Sequence, residues 1–179
     1  MSTPDRPDRL TTLHRSLGIP DNYGAGLPCF DDDVELIDIG IDMFDRPQRL
    51  HPAAADSWQR MQAAARRDDI ELQLVSAYRS IDYQVQVIRR KLDKGDDITA
   101  VLKSVAAPGY SEHHSGRAID ISTPGCEPLT EAFEQTAAFR WLSRQAGHHG
   151  FVLSYPRDNR YGFVYEPWHW AYHDRSVSG

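Results

Sequence analysis

The segment YSEHHSGRAID, Tyr110 to Asp120, sets Ser111, His113, His114, Gly116 and Asp120 close together, and three of these can bind a metal. His113 and Asp120 stand seven residues apart in it. Asp120 falls in a run that reads as a strand and His113 in the loop before it. Gly116 lets that loop turn back, so both side chains can reach one ion. Imidazole nitrogen and carboxylate oxygen are both zinc donors at ~2.0–2.2 Å. A His–Asp pair hydrogen-bonded without a metal would read the same way on this segment alone. The later stretch EPWH, Glu166 to His169, shifts the balance. His169 offers a third ligand and Glu166 a candidate base. Three protein ligands with an open position are typical of catalytic zinc, which lowers the pKa of a water toward ~7. A nearby carboxylate can take that proton. On a flat strand Glu166 and His169 would face opposite ways. Pro167 cannot donate a ladder hydrogen bond, and a bend there lets both face the ion.

These residues need elements to hold them. GRAIDIS (116–122) reads as a strand with Ile119 and Ile121 on one face and Ala118 and Asp120 on the other. ELQLVSAY (71–78), VELIDIGI (34–41), FVLSY (151–155) and GFVYEPWHWAY (162–172) read as further strands, the last two joined by the turn PRDNRYG. Trp170 is assigned to core packing. Helices are expected from Pro52 onward, with Ala54, Trp58, Met61 and Ala65 at helical spacing, and after Ser80, which can cap a helix ending near Gly95. A short helix should carry Ile98, Val101, Leu102 and Val105. Another should carry Phe133, Ala137 and Trp141 and close at Gly147 and Gly150. Residues 1–33 read as an irregular arm in which Leu10, Leu13 and Leu17 allow a short helix. The whole reads as α+β, helices packed on a small antiparallel sheet. Residues 1–50 form an arm of the same unit, and residues 51–179 the catalytic domain.

Composition narrows the function. A chain of 179 residues can bury one sizeable core. A net charge of −6 with no basic block argues against nucleic acid or anionic lipid as partners. No apolar run is long enough to span a bilayer. The N-terminal stretch lacks the apolar core of a secretory signal, so the chain as written is expected in the cytoplasm. Cys29 and Cys126 are read as unpaired thiols.

Ser111-x-His113-x-x-Gly116-x-Ala118-x-Asp120, followed by Glu166-x-Trp168-His169, resembles the paired motifs of the zinc D-alanyl-D-alanine carboxypeptidases. These are VanY-like members of the LAS peptidase group, which includes the VanX dipeptidases. SAYRSIDYQ (76–84) looks like that family's Ser-Gly-Tyr-Arg-Ser segment with its downstream Gln, Ala77 standing for the usual glycine. The resemblance covers roughly residues 53–172 and implies a LAS-type, Hedgehog-like fold. It implies that His113, Asp120 and His169 hold Zn2+, with His113 rather than His114 at the ligand position. Glu166 would be general base and acid. Arg79 would stabilise the oxyanion or orient the substrate carbonyl, and Ser111 and Gln84 would bind the substrate. His114 would orient a neighbour or face solvent, and His14, His51, His148, His149 and His173 are read as structural.

The implied activity is removal of the C-terminal D-alanine from peptidoglycan stem peptides by a monomer. Such enzymes usually work on the cell wall outside the membrane. Two rivals of the same class are a VanX-like dipeptidase acting on free D-Ala-D-Ala and an L,D-carboxypeptidase. A rival of another class is a non-catalytic, zinc-stabilised module that binds the cell wall. A purely structural zinc would need neither Glu166 nor Arg79.

Overall fold

The apolar spacing that begins at Pro52 produces the longest helix of the protein's described part. In the computed structural model, which describes residues 6–174, α2 runs Pro52–Arg67 and buries Ala54, Ala55, Trp58, Met61 and Ala65. Proline suits its first turn, where backbone donors have no helical partner, and His51 Nδ1 accepts the Ala53 N–H at 3.3 Å. Before it lie α1 (Arg6–Ser16) and a hairpin of β1 (Ile37–Ile41) and β2 (Pro47–Leu50). After it come β3 (Gln73–Ser76), α3 (Ile81–Leu92), α4 (Ile98–Val101), β4 (Ala118–Ser122), α5 (Ala137–Gln145), β5 (Phe151–Leu153) and β6 (His169–Tyr172). One-turn 3₁₀ helices occupy Glu112–Ser115, Glu131–Gln135 and Ala146–His149.

The four strands β3-β4-β6-β5 form an antiparallel sheet in that order. Ile119, Ile121 and Trp170 pack on its core side against Trp58, Met61, Phe133 and Leu142. A second apolar cluster joins Leu17 and Ile19 to Val85 and Ile88 of α3 and Val101 of α4. The architecture is the α+β arrangement that the sequence predicts. Among the described residues no helix is long and apolar enough to cross a membrane. Cys29 and Cys126 are not bonded to each other.

Four elements differ from expectation. Residues 162–168 are not strand: β6 starts only at His169, because a turn in which the His169 N–H donates to Glu166 O at 3.1 Å precedes it. The helix expected through Phe133 and Trp141 is broken at Thr136, whose hydroxyl caps α5 by accepting the Phe139 N–H at 3.1 Å. The short helix after Gly95 ends at Val101 rather than reaching Val105. Strand β2 has no alternating apolar pattern and is held by its partner β1.

Candidate active site

Strand register places the site. Opposite residues of an antiparallel pair share a face. Asp120 of β4 lies opposite His169 of β6 on one side and Ser76 of β3 on the other. These three therefore stand in a row on one face, while Ile119 and Trp170 take the other. A bulge between Leu74 and Ser76 sets both Val75 and Ser76 against Asp120. Bulges re-aim side chains in this way beside functional sites. His113 reaches the row from the 3₁₀ turn Glu112–Ser115. That turn ends at Gly116, whose φ is +65° and whose N–H donates to His113 O at 3.2 Å. Side chains rarely adopt that conformation.

His113, Asp120 and His169 are each 3% exposed, and their donor atoms lie within 4.8 Å of one another. His113 Nδ1 sits 2.6 Å from the Ala77 carbonyl, which can only accept, so that nitrogen carries the proton. Its Nε2 is 3.2 Å from Asp120 Oδ2. The other carboxylate oxygen, Asp120 Oδ1, is 3.0 Å from His169 Nδ1. Burial lowers the His113 pKa, more than Asp120 raises it, and so favours the neutral ring. Burial alone would raise Asp120. The two imidazoles outweigh it and hold the carboxyl well below its usual range.

Burial would likewise lower His169, but hydrogen bonds to Asp120 and to Glu112 push it up to about 10. A metal ion among the same donors would replace the Nδ1 proton. Asp120 turns one carboxylate oxygen to each imidazole, at 3.0 Å to His169 and 3.2 Å to His113. The donor set of two imidazoles and a carboxylate is able to hold a metal ion.

The seven residues singled out from the sequence, His113, Asp120, His169, Glu166, Arg79, Ser111 and Gln84, all line one cavity of about 400 Å³. Glu166 is 7% exposed, and among the described residues no side chain hydrogen-bonds its carboxylate. Burial raises its pKa to about 7, with Asp120 adding to the rise and His169 and Arg79 opposing it. A carboxyl poised there can both take and return a proton at neutral pH. The turn at Pro167 is the bend that brings it onto the same cavity as His169.

Arg79 is held at several points. Its N–H donates to His113 O at 3.1 Å, Nη1 donates to Gln84 Oε1 at 3.1 Å, and Nη2 donates to Ser76 Oγ at 3.3 Å. Nη2 also lies 3.5 Å from Asp120 Oδ2. Gln84 is buried, and its Nε2 donates to Ala106 O at 2.6 Å, so its amide serves Arg79 from within the protein. His114 is fully buried. It donates from Nδ1 to Arg79 O at 2.6 Å and accepts the Gly109 N–H at Nε2, orienting neighbours as expected.

Two residues at the site were not singled out by sequence. Glu112 Oε2 is 2.8 Å from His169 Nε2. The Tyr155 ring stacks on His169, with centroids 4.8 Å apart and planes at 28°. Glu112 carried one signal, its place directly before His113. Tyr155 ends a predicted strand and carried none.

Comparison with known proteins fits this geometry. Residues 47–175 match the model of the VanY family, D-alanyl-D-alanine carboxypeptidase. The chain is 32% identical to the Bacillus subtilis protein YodJ over 96% of its own length and 63% of that protein's. The chain thus spans less than two thirds of YodJ. Among solved structures it resembles the LdcB LD-carboxypeptidase, at TM-score 0.66 and 34% identity over 86% of this chain and 71% of that one. It also resembles a vancomycin-resistance D,D-pentapeptidase VanY in complex with Zn(II), at TM-score 0.63 and 29% identity over 86% and 82%.

Proposed function

The chain belongs to the VanY family of D-alanyl-D-alanine carboxypeptidases, and from that premise we propose that it is a zinc-dependent enzyme that hydrolyses the C-terminal D-alanine from peptidoglycan stem peptides. One observation carries this reading: the buried cluster His113, Asp120 and His169 opens on the same cavity as Glu166 and Arg79. The three cluster residues would hold the zinc, which supplies Lewis-acid polarisation of a carbonyl and acidification of a water.

The chain's own groups supply the rest. Glu166, with its pKa raised to about 7, accepts the proton of the attacking water and delivers it to the leaving amine. The Arg79 guanidinium, held by Ser76 and Gln84 on the cavity wall, would stabilise the negative charge that develops on the scissile carbonyl oxygen. Because these partners already hold it, little reorganisation is needed during reaction. Ser111, 4% exposed on the cavity wall, is placed to hydrogen-bond the substrate's peptide or terminal carboxylate. Gln84 acts on the substrate through Arg79.

A second reading, L,D-carboxypeptidase, is favoured by the likeness to LdcB. Incubation with muramyl pentapeptide, muramyl tetrapeptide and free D-Ala-D-Ala, with D-alanine measured, separates the cases. Release from pentapeptide is expected. Release from tetrapeptide alone assigns L,D-specificity, and release from the dipeptide alone assigns a dipeptidase. Release from none of them overturns the proposal.

A further inference from the structure

Resting on the zinc reading above, we infer that Glu112 is a positioning residue for the metal centre: it takes the Nε2–H of His169 and thereby presents Nδ1 to the ion. The two histidines of the cluster need opposite nitrogens. On His113 the Ala77 carbonyl, 2.6 Å from Nδ1, fixes the proton there and leaves Nε2 toward Asp120. On His169 it is Nδ1 that faces Asp120, at 3.0 Å, so the proton must be kept on Nε2. Glu112 Oε2 stands 2.8 Å from that Nε2 and can only accept from it when ionised.

The surroundings leave the ring little freedom. Tyr155 stacks on one face of His169, and His113 meets the ring at 74° with centroids 4.9 Å apart. The His169 side chain is 4% exposed and that of Glu112 13%, so water competes weakly for their contact. Glu112 is itself anchored, since Ser115 Oγ donates to its carbonyl at 2.6 Å and closes the 3₁₀ turn. One turn therefore supplies a ligand, His113, and orients another, His169. Ligating histidines commonly donate their second N–H to a carboxylate, which fixes the tautomer and raises basicity.

Zinc affinity, measured by competition with a chromophoric chelator on wild type, Glu112→Gln and Glu112→Ala, tests this. Loss of such a partner commonly weakens metal binding about 10- to 100-fold, which is expected for Glu112→Ala. Glu112→Gln can still accept from Nε2–H but without charge, and a loss of about 3- to 10-fold is expected. Should the alanine variant not fold, the glutamine variant carries the test. Two-bond 1H–15N spectra of the zinc-loaded wild type should show His169 protonated at Nε2 and metal-bound at Nδ1, with His113 the reverse. The inference is overturned by variants that bind zinc as tightly as a zinc-binding wild type, or by His169 ligation through Nε2. A folded wild type that takes up no zinc overturns the functional reading and this inference together.

Discussion

Replacing Gly116 with alanine should cost far more than the same change at Gly18, although both glycines have left-handed backbone, at φ +65° and +70°. The shared cost is that of putting a Cβ in this conformation, about 1 kcal/mol. At Gly18 nothing lies within 4 Å of the added carbon. At Gly116 it would stand 2.7 Å from Leu36 Cδ2 and 3.0 Å from the His51 backbone nitrogen. The leucine can rotate aside. The nitrogen cannot move without stretching its 2.8 Å hydrogen bond to the Gly116 carbonyl, a further cost of about 1 kcal/mol. Overpacking adds about 1 kcal/mol more. Gly116→Ala should thus lose about 3 kcal/mol and Gly18→Ala about 1, a difference of about 2 kcal/mol or about 4–8 °C in melting temperature for a domain of this size. Thermal and denaturant unfolding of the metal-free proteins measure it. Variants within about 0.5 kcal/mol of each other would refute the argument that this turn is sterically fixed.

The remaining predictions concern chemistry. Glu166→Gln should bind zinc as wild type does and lose about 10²- to 10⁴-fold in kcat, the usual contribution of a positioned general base; near-wild-type turnover, read by D-alanine release, removes Glu166 from the mechanism. Metal analysis should find that His113→Ala loses zinc and His114→Ala keeps it, since His114 spends both ring nitrogens on Arg79 and Gly109. Arg79→Ala should retain zinc and lose about 10²- to 10³-fold in kcat, and an unchanged rate would mean that the guanidinium only braces Asp120. A β-lactam should leave no covalent adduct in the mass spectrum, because the chain has no S-x-x-K motif: Ser76 is followed three residues on by Arg79, and Ser104 by Ala107. A stoichiometric adduct would point to an acyl-enzyme instead.

The row of Asp120 and His169 was legible because strand alternation puts Asp120 on the face opposite Ile119 and Ile121, and the register carries that face to β6. Gly116 was legible because a left-handed turn between His113 and the strand demands it. The residues that tune the site were harder to read. Glu112 looks like any loop acid until the fold brings His169 to it across 57 positions of sequence. Gln84 lies on a helix face that sequence leaves open to solvent; only the packing of Ala106 and Arg79 shows it to be buried. The run GFVYEPWHWAY alternates well enough to suggest one long strand. The turn at Pro167 cuts it, and that interruption is what lets Glu166 join the cavity. At Thr136, local hydroxyl capping overrides the apolar period on either side.

The most direct measurement is D-alanine release from muramyl pentapeptide by protein stripped with a chelator and then titrated with zinc. The account predicts that activity vanishes on stripping and returns with a break at one equivalent per chain. It predicts no return in His169→Ala at the same zinc concentration. Full activity in the stripped protein, or equal recovery in His169→Ala, would contradict the assignment of His113, Asp120 and His169 as a catalytic zinc site.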